Sequence, residues 1–424
     1  MLNRLQPPVY QPISSIDILE AQSSTLSNGI PFHAVNAGEQ DLLRLEFVFS
    51  AGSWFDTKSG QSYFTTKMLA EGTANLSSQE INEKIDQYGA FLDFNSGFDR
   101  VSVVLYTLNK YLVQVLPTLK DVLLNANFPE NELDNLKNRT SQSIKVNMEK
   151  ESYVAARRFR QLVFGETHAY GKNLEENDVQ AIKRPDLTNF FKQFFQLGNA
   201  QIIAAGKVTE NVKALINEHF GQESVRLVQL DKNQREFKTV FKSEVIERPN
   251  SIQSAIRIGR ILFPKNHPDY FKILLTNEIL GGYFGSRLMQ NLREDKGLTY
   301  GVSSQMSFMG SEGFFVIGAD VKKEATTQAI DEIYKEIKIM QNEKVGAQEL
   351  EKVQNYLIGS FAASFTTSFS LADMFGGVHF YNLDYDFYKK YIQKVQKITS
   401  DDIINTAQKY LDTDAMLEIV VGGK

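Results

Sequence analysis

The feature that most constrains this chain is that its second half replays its first. LLRLEFVFSAG at 42–52 has a counterpart in SAIRIGRILF at 254–263, and each is followed by an amphipathic helical stretch ending in glycine. VSVVLYTLNKYLVQVLPTLKDVL is matched by GFFVIGADVKKEATTQAIDEIYKEI, and FPENELDNLKNR by VGAQELEKVQNY. Glu132-Leu133 and Glu349-Leu350 stand 217 residues apart, and the other pairs give similar offsets. One such match is within reach of chance; the same order across several elements is not. The chain therefore reads as two copies of one unit of about 210 residues. Each copy is long enough to bury its own core.

Within the first copy, Ser27-Asn28-Gly29 makes a turn between two short strands, and Leu42 to Phe49 is an apolar strand. A helical stretch follows from about Ser62 to Glu71, and Ser77-Ser78-Gln79-Glu80 starts another helix with a capping box. Val101, Val103 and Leu105 alternate as a strand, and Leu112, Val115, Leu119, Val122 and Leu123 recur at the helical period. Pro129 opens a long charged helix running to roughly Phe164. The expected fold is α+β: two homologous domains, each a mixed, mostly antiparallel sheet with helices packed on it. The boundaries are 1–222, a polar linker at 223–238 (ESVRLVQLDKNQREFK), and 239–424, with a cleft between the domains as the default place for a ligand.

Composition excludes several classes. With 46 Lys plus Arg against 51 Asp plus Glu, the formal charge of −5 argues against a sequence-blind nucleic-acid binder. Zero cysteines removes disulfides, thiolate metal sites and a cysteine nucleophile. The N-terminus, MLNRLQPPVYQPI, has no apolar stretch fit for a signal peptide, and no run approaches 18 apolar residues. The expectation is a cytoplasmic protein without a membrane span, periplasmic if a leader has been removed.

The five histidines, His33, His168, His219, His267 and His379, are never three or four residues apart, so no helix presents a paired-histidine metal site. His168 and His267 read as turn residues. There is no G-x-S-x-G elbow. The glycines of LGGYFGSRL follow a helix, and no G-K-[ST] accompanies them, so they read as a helix cap and tight turn. The most distinctive segment is FGSRLMQNLREDKGLTYGVSS, residues 284–304. It reads as a helix carrying Arg287, Leu288, Leu292 and Arg293, a reversal near Lys296-Gly297, and a strand with Tyr300 two residues in. Arg293 and Tyr300 can converge across that reversal; a helix-end arginine and an edge tyrosine are the plainer reading.

This segment resembles the G-S-R-L…L-R-E…G-L-x-Y signature of the second domain of pitrilysin/insulinase-type zinc metallopeptidases. AGSWFD (51–56) and MLAEGT (68–73) are similar to the family's A-G-S-R-x-E and M-L-F-K-G-T strings, and the duplicated layout matches over nearly the whole chain. The resemblance implies that Arg293 and Tyr300 bind the backbone of an extended peptide and help stabilise the tetrahedral intermediate. The departure is equally specific. Where active members carry H-x-x-E-H, this chain reads Tyr63-Phe64-Thr65-Thr66-Lys67. Tyr63 and Lys67 stand at the two histidine positions and Thr66 at the general base. A protonated lysine has no lone pair to donate, and threonine is no base at neutral pH. The family's third ligand falls at Ile144, flanked by Ser143 and Lys145, with Glu149 and Glu151 a turn or more away.

The resemblance thus implies a chain with no metal of its own. It would serve as the non-catalytic subunit of a bacterial heterodimeric metallopeptidase, supplying Arg293 and Tyr300 in trans. The expected partners are a zinc-bearing homologous subunit and unfolded or short peptides, with a homodimer when the chain is alone. The zinc-free chain of mitochondrial processing peptidase carries a long glycine-rich loop, which FGGVHF and LGGYFGS are too short to match. A structural or peptide-binding homologue with no part in hydrolysis is the alternative.

Overall fold

The computed structural model describes residues 13–226 and 243–424. The N-terminal segment read for a leader (but for Ile13) and most of the predicted linker, 227–238, lie outside them. The first half builds a sheet from β1 (Gln22–Thr25), β2 (Pro31–Asn36), β3 (Leu42–Phe49), β4 (Phe91–Ser96), β5 (Val101–Leu108) and β6 (Ala200–Gly206). The second half uses β7 (Ser243–Glu247), β8 (Gln253–Leu262), β9 (Thr299–Phe308), β10 (Gly313–Lys322) and β11 (Leu417–Gly422). The spatial orders are β1-β2-β6-β3-β5-β4 and β7-β11-β8-β10-β9. With β1 set aside, the two sheets correspond strand for strand. β2 and β6 run parallel, as do β7 and β11, and every other pairing is antiparallel. β3 and β8 hold the same place, as the sequence repeat requires.

One face of each sheet is covered by its own half's helices. In the first half these include α1 (Gln61–Lys67), α2 (Ser78–Asp86) and α3 (Leu112–Asn125). Ser77 and Glu80 cap α2 reciprocally, as the sequence predicts. Leu43, Leu45, Phe47 and Phe49 of β3 meet Val115, Leu119 and Val122 of α3 in one core. The predicted helix from Pro129 to Phe164 is in fact two, α4 (Glu130–Met148) and α5 (Glu151–Phe164), with Lys150 extended between them. Arg248, from the other half, takes the carbonyls of Met148 and Glu149 at 2.5 and 2.8 Å, and Ser251 donates to Glu151 at 2.6 Å. Those contacts satisfy the helix end that a continuing turn would otherwise fill. The second half has the same break. After α6 (Thr326–Asn342), α7 (Ala347–Ala363) is separated from α8 (Ser368–His379), which starts on a Thr367–Ser370 capping box.

The break frees α5 and α8 to cross over. Val154, Ala155, Phe159, Val163 and Phe164 of α5 pack on β8 and β11 of the second sheet. Leu371, Ala372 and Phe375 of α8 pack on Val35, Val48, Ile203 and Ala205 of the first. Each half thus covers the open face of the other. A polar clamp accompanies each helix: Arg158 of α5 grips Glu244 at 2.8 and 3.0 Å, and Arg44 of β3 reaches Asp373 of α8 at 2.6 Å. Gly259 of β8 admits Phe159, since a Cβ there would lie 2.9 Å from the ring and 2.0 Å from the Phe315 carbonyl oxygen. Between the two hairpin tips, Asp99 accepts from the Tyr170 hydroxyl at 2.9 Å and from the Gly310 N–H at 3.0 Å. Phe159→Ala removes a ring that fills the crossing and should cost about 3–5 kcal/mol. Chemical denaturation should register that loss as one cooperative transition for both halves.

A histidine pair lies where α8 meets β2. His33 of β2 shares a hydrogen bond with Ser23 at 2.8 Å, and its ring sits 4.8 Å from His379 and 4.6 Å from Phe375. Burial, then the neighbouring His379, pushes the His33 imidazole down to about 4, with the Gln201 amide opposing. His379 is itself pushed down by burial and by Arg100. An imidazole held neutral in the fold but titrating near 6.5 when unfolded contributes fully above pH 6.5, and that contribution is lost as pH falls toward 4. The shift corresponds to about 3 kcal/mol. Melting curves between pH 7 and 4 should fall more steeply for the native chain than for His33→Gln.

Candidate functional site

The degenerate motif lies on α1, whose start is tightly held. Gly60, at φ +91°, turns the chain into the helix, and Asp56 accepts from the N–H groups of Gly60 and Ser62 at 3.0 and 2.8 Å. Tyr63 and Lys67, four residues apart, share a helix face and are both partly buried. The Lys67 ammonium donates to the Phe94 carbonyl oxygen of β4 at 2.5 Å. The Thr66 hydroxyl turns back to the Ser62 carbonyl oxygen at 2.6 Å and is buried there. Tyr63 lies edge-on against Phe64, with ring centroids 5.3 Å apart. Where a metal and its water would need lone pairs, the helix presents an ammonium, a committed hydroxyl and a phenol.

The third position is equally unsuited. Ile144 packs against the first-half core. Glu149 ends α4, and Glu151 is engaged by Ser251. Among the described residues no three His, Asp or Glu side chains gather as a metal site requires. The residues present do not fit zinc. The triple variant Tyr63→His, Thr66→Glu, Lys67→His still lacks the third ligand. After dialysis against zinc and then buffer, metal analysis should find no stoichiometric ion in it.

The second-half segment is built differently. Two wide helical turns, Glu278–Gly282 and Met289–Asp295, flank the Tyr283–Leu288 connection. The Arg287 fork is committed to Glu349 at 2.8 and 2.7 Å, so it is a structural clamp. At the end of the second turn the Leu298 N–H donates to the Leu292 carbonyl oxygen at 2.8 Å, with Gly297 at φ +62° making the reversal. β9, the edge strand of the second sheet, starts immediately after. Its register against β10 slips between Ala319 and Val321, so Tyr300 and Gly301 together oppose Asp320 in a β-bulge. The Thr299 hydroxyl holds the bulge by donating to the Asp320 carbonyl oxygen at 2.7 Å. A bulge re-aims side chains, and Tyr300 stands out from the strand with 94% of its surface exposed.

Arg293 lies on the adjacent turn, partly buried, with its guanidinium 4.6 Å over the ring of Phe284. The reversal thus brings Arg293 and Tyr300 onto neighbouring elements, and among the described residues no hydrogen bond joins their side chains. Phe284, 64% exposed, was not singled out from the sequence. Its signal was available: an aromatic in the glycine-rich GGYFG has no helical face on which to be buried. His168 and His267 sit in turns, as expected, each accepting a local backbone N–H at 3.1 Å. No helix among the described residues is long and apolar enough to cross a membrane.

Comparison with known proteins agrees with this architecture. Residues 35–172 match the family described as Insulinase (Peptidase family M16), and residues 181–357 match Peptidase M16 inactive domain. The chain is 24% identical over 401 residues to the Non-peptidase homolog YmxG of Helicobacter pylori, covering 91% of each. It is 23% identical over 323 residues to the Uncharacterized zinc protease YmxG of Bacillus subtilis, covering 74% of this chain and 78% of that one. The crystal structure of a peptidase M16 inactive domain from Pseudomonas fluorescens superposes with a TM-score of 0.85 at 24% identity, covering 96% of this chain and 99% of that one. The chain belongs to the M16 (pitrilysin/insulinase) family, as an inactive homologue that has lost the family's zinc-binding residues.

Proposed function

We propose that this chain is the non-catalytic subunit of a heterodimeric metallopeptidase, and that Arg293 and Tyr300 act in trans at a partner's metal site. The observation that carries this reading is the contrast between the halves. In the first, Lys67 and Thr66 are committed to backbone carbonyls. In the second, a bulge holds Tyr300 outward while Arg293 lies beside it on the neighbouring turn. A tyrosine that served only packing would not be held almost fully in solvent.

The chemistry asked of the pair is modest and suits its members. Peptide hydrolysis builds negative charge on the scissile carbonyl oxygen, and donors already in place stabilise it at no cost of reorganisation. Tyr300 offers a phenolic O–H; Arg293 offers a planar fork of N–H donors. β9 is an edge strand whose free backbone groups can align an extended peptide beside them. The partner is an H-x-x-E-H-bearing homologue, which contributes the metal-bound nucleophile and the general base.

Co-expression with such a homologue, followed by peptide hydrolysis assays, tests the proposal. Tyr300→Phe and Arg293→Ala should each lower turnover by about 10²–10³, while melting temperature, complex formation and partner zinc content stay unchanged. Full activity in both variants would remove the catalytic role and leave a structural one.

A further inference from the structure

A cavity of about 240 Å³ opens beside the start of α1, lined by Asp56, Ser59, Ser62, Phe98, Lys172 and Leu174 among others. At about 30 Å³ per water it has room for roughly eight, more than a packing defect in a close-packed interior. Three of its groups are incompletely partnered: Asp56, Ser59 and Ser62, the last a buried residue beside Asp56 whose hydroxyl makes no hydrogen bond. The Asp56 carboxylate accepts two backbone N–H bonds, which fix its direction but leave lone pairs on both oxygens. Among the described residues no lysine or arginine forms an ion pair with it; Lys172 is exposed and acts on it only from a distance. The Ser59 side chain is buried, 7% exposed, and its hydroxyl has no hydrogen-bond partner. A carboxylate without a counter-ion and orphan hydroxyls on one cavity call for a cationic donor.

We propose that this cavity binds a primary ammonium group, carried by a free amino acid or by the N-terminus of a peptide, with Asp56 as counter-ion and Ser59 as a hydrogen-bond acceptor. An ammonium brings three donors and the missing charge. An anion is repelled by Asp56, and an uncharged apolar group leaves these polar groups unsatisfied. Phe98 and Leu174 give the cavity an apolar wall for a short side chain, and Lys172 can take a carboxylate or carbonyl oxygen. The site is on the first half and is independent of the role proposed for Arg293 and Tyr300.

Titration calorimetry of the whole chain with L-alanine, tetra-alanine and N-acetyl-tetra-alanine tests this directly. Tetra-alanine should bind in the millimolar range or tighter, and acetylation should weaken it by at least about tenfold. Equal binding of L-alanine would identify a free amino acid as the ligand; binding of the peptide alone would identify a peptide N-terminus. Asp56→Asn, which keeps an acceptor for α1, and Ser59→Val, which replaces the hydroxyl acceptor with methyl groups, should each abolish the binding while circular dichroism stays native. No amine binding at these concentrations, or binding indifferent to acetylation in the native chain, would overturn the assignment.

Discussion

The structure depends on the reciprocal exchange of α5 and α8. Each sheet buries one face under its own helices and would leave the other open to water. Phe159 and its neighbours on one side, and Phe375 and its neighbours on the other, close those faces. The apolar burial is the main gain, at about 2 kcal/mol for each large side chain. The Arg158–Glu244 and Arg44–Asp373 pairs fix direction more than they add stability, because each is partly open to solvent. The consequence for the site is positional. With each helix lying on the opposite sheet, the halves cannot slide without opening an apolar face. The N-terminal arm adds a further tie, since Ile13, Ile16 and Ile18 pack on the second core before the chain enters the first sheet.

Much of this was legible in the sequence, for identifiable reasons. Repeated order gave the correspondence of the sheets, because the same alternation in β3 and β8, and in β5 and β10, serves the same burial. The capping box at Ser77 was readable because it is a local interaction. The break between α4 and α5 was not: charge and periodicity run through Glu149-Lys150, and what ends the helix is Arg248, about 100 residues away. Nor was the exchange legible, since an amphipathic pattern says that a helix has an apolar face but not which sheet receives it. At the site, Arg293 and Tyr300 could be picked out from their motif. The bulge that aims Tyr300 could not, because Gly301 alone does not specify where the register of β9 slips.

The halves have diverged in chemistry while keeping a common frame. In the first, the loss of metal ligands is structural as well as chemical. Lys67 caps the outward Phe94 carbonyl of edge strand β4, and Asp93 takes the Phe94 N–H at 2.9 Å, so that strand's free backbone groups are closed at this residue. Capping an edge with lysine is a common guard against unwanted strand pairing. In the second, the Thr299 hydroxyl engages the backbone of Gly301 inside the bulge of edge strand β9, Tyr300 is left standing outward, and Arg293 rests on Phe284. One frame with different chemistry in its two halves is compatible with a division of labour between two chains, which is the basis of the proposed trans arrangement.

The most direct test of that arrangement is site-specific photo-crosslinking. A photoreactive phenylalanine placed at 300 in the chain co-purified with an H-x-x-E-H homologue should crosslink to the partner peptide that contains its zinc motif, and the same group at the exposed Val113 should not. Absence of that adduct from a complex that nevertheless assembles would contradict the account.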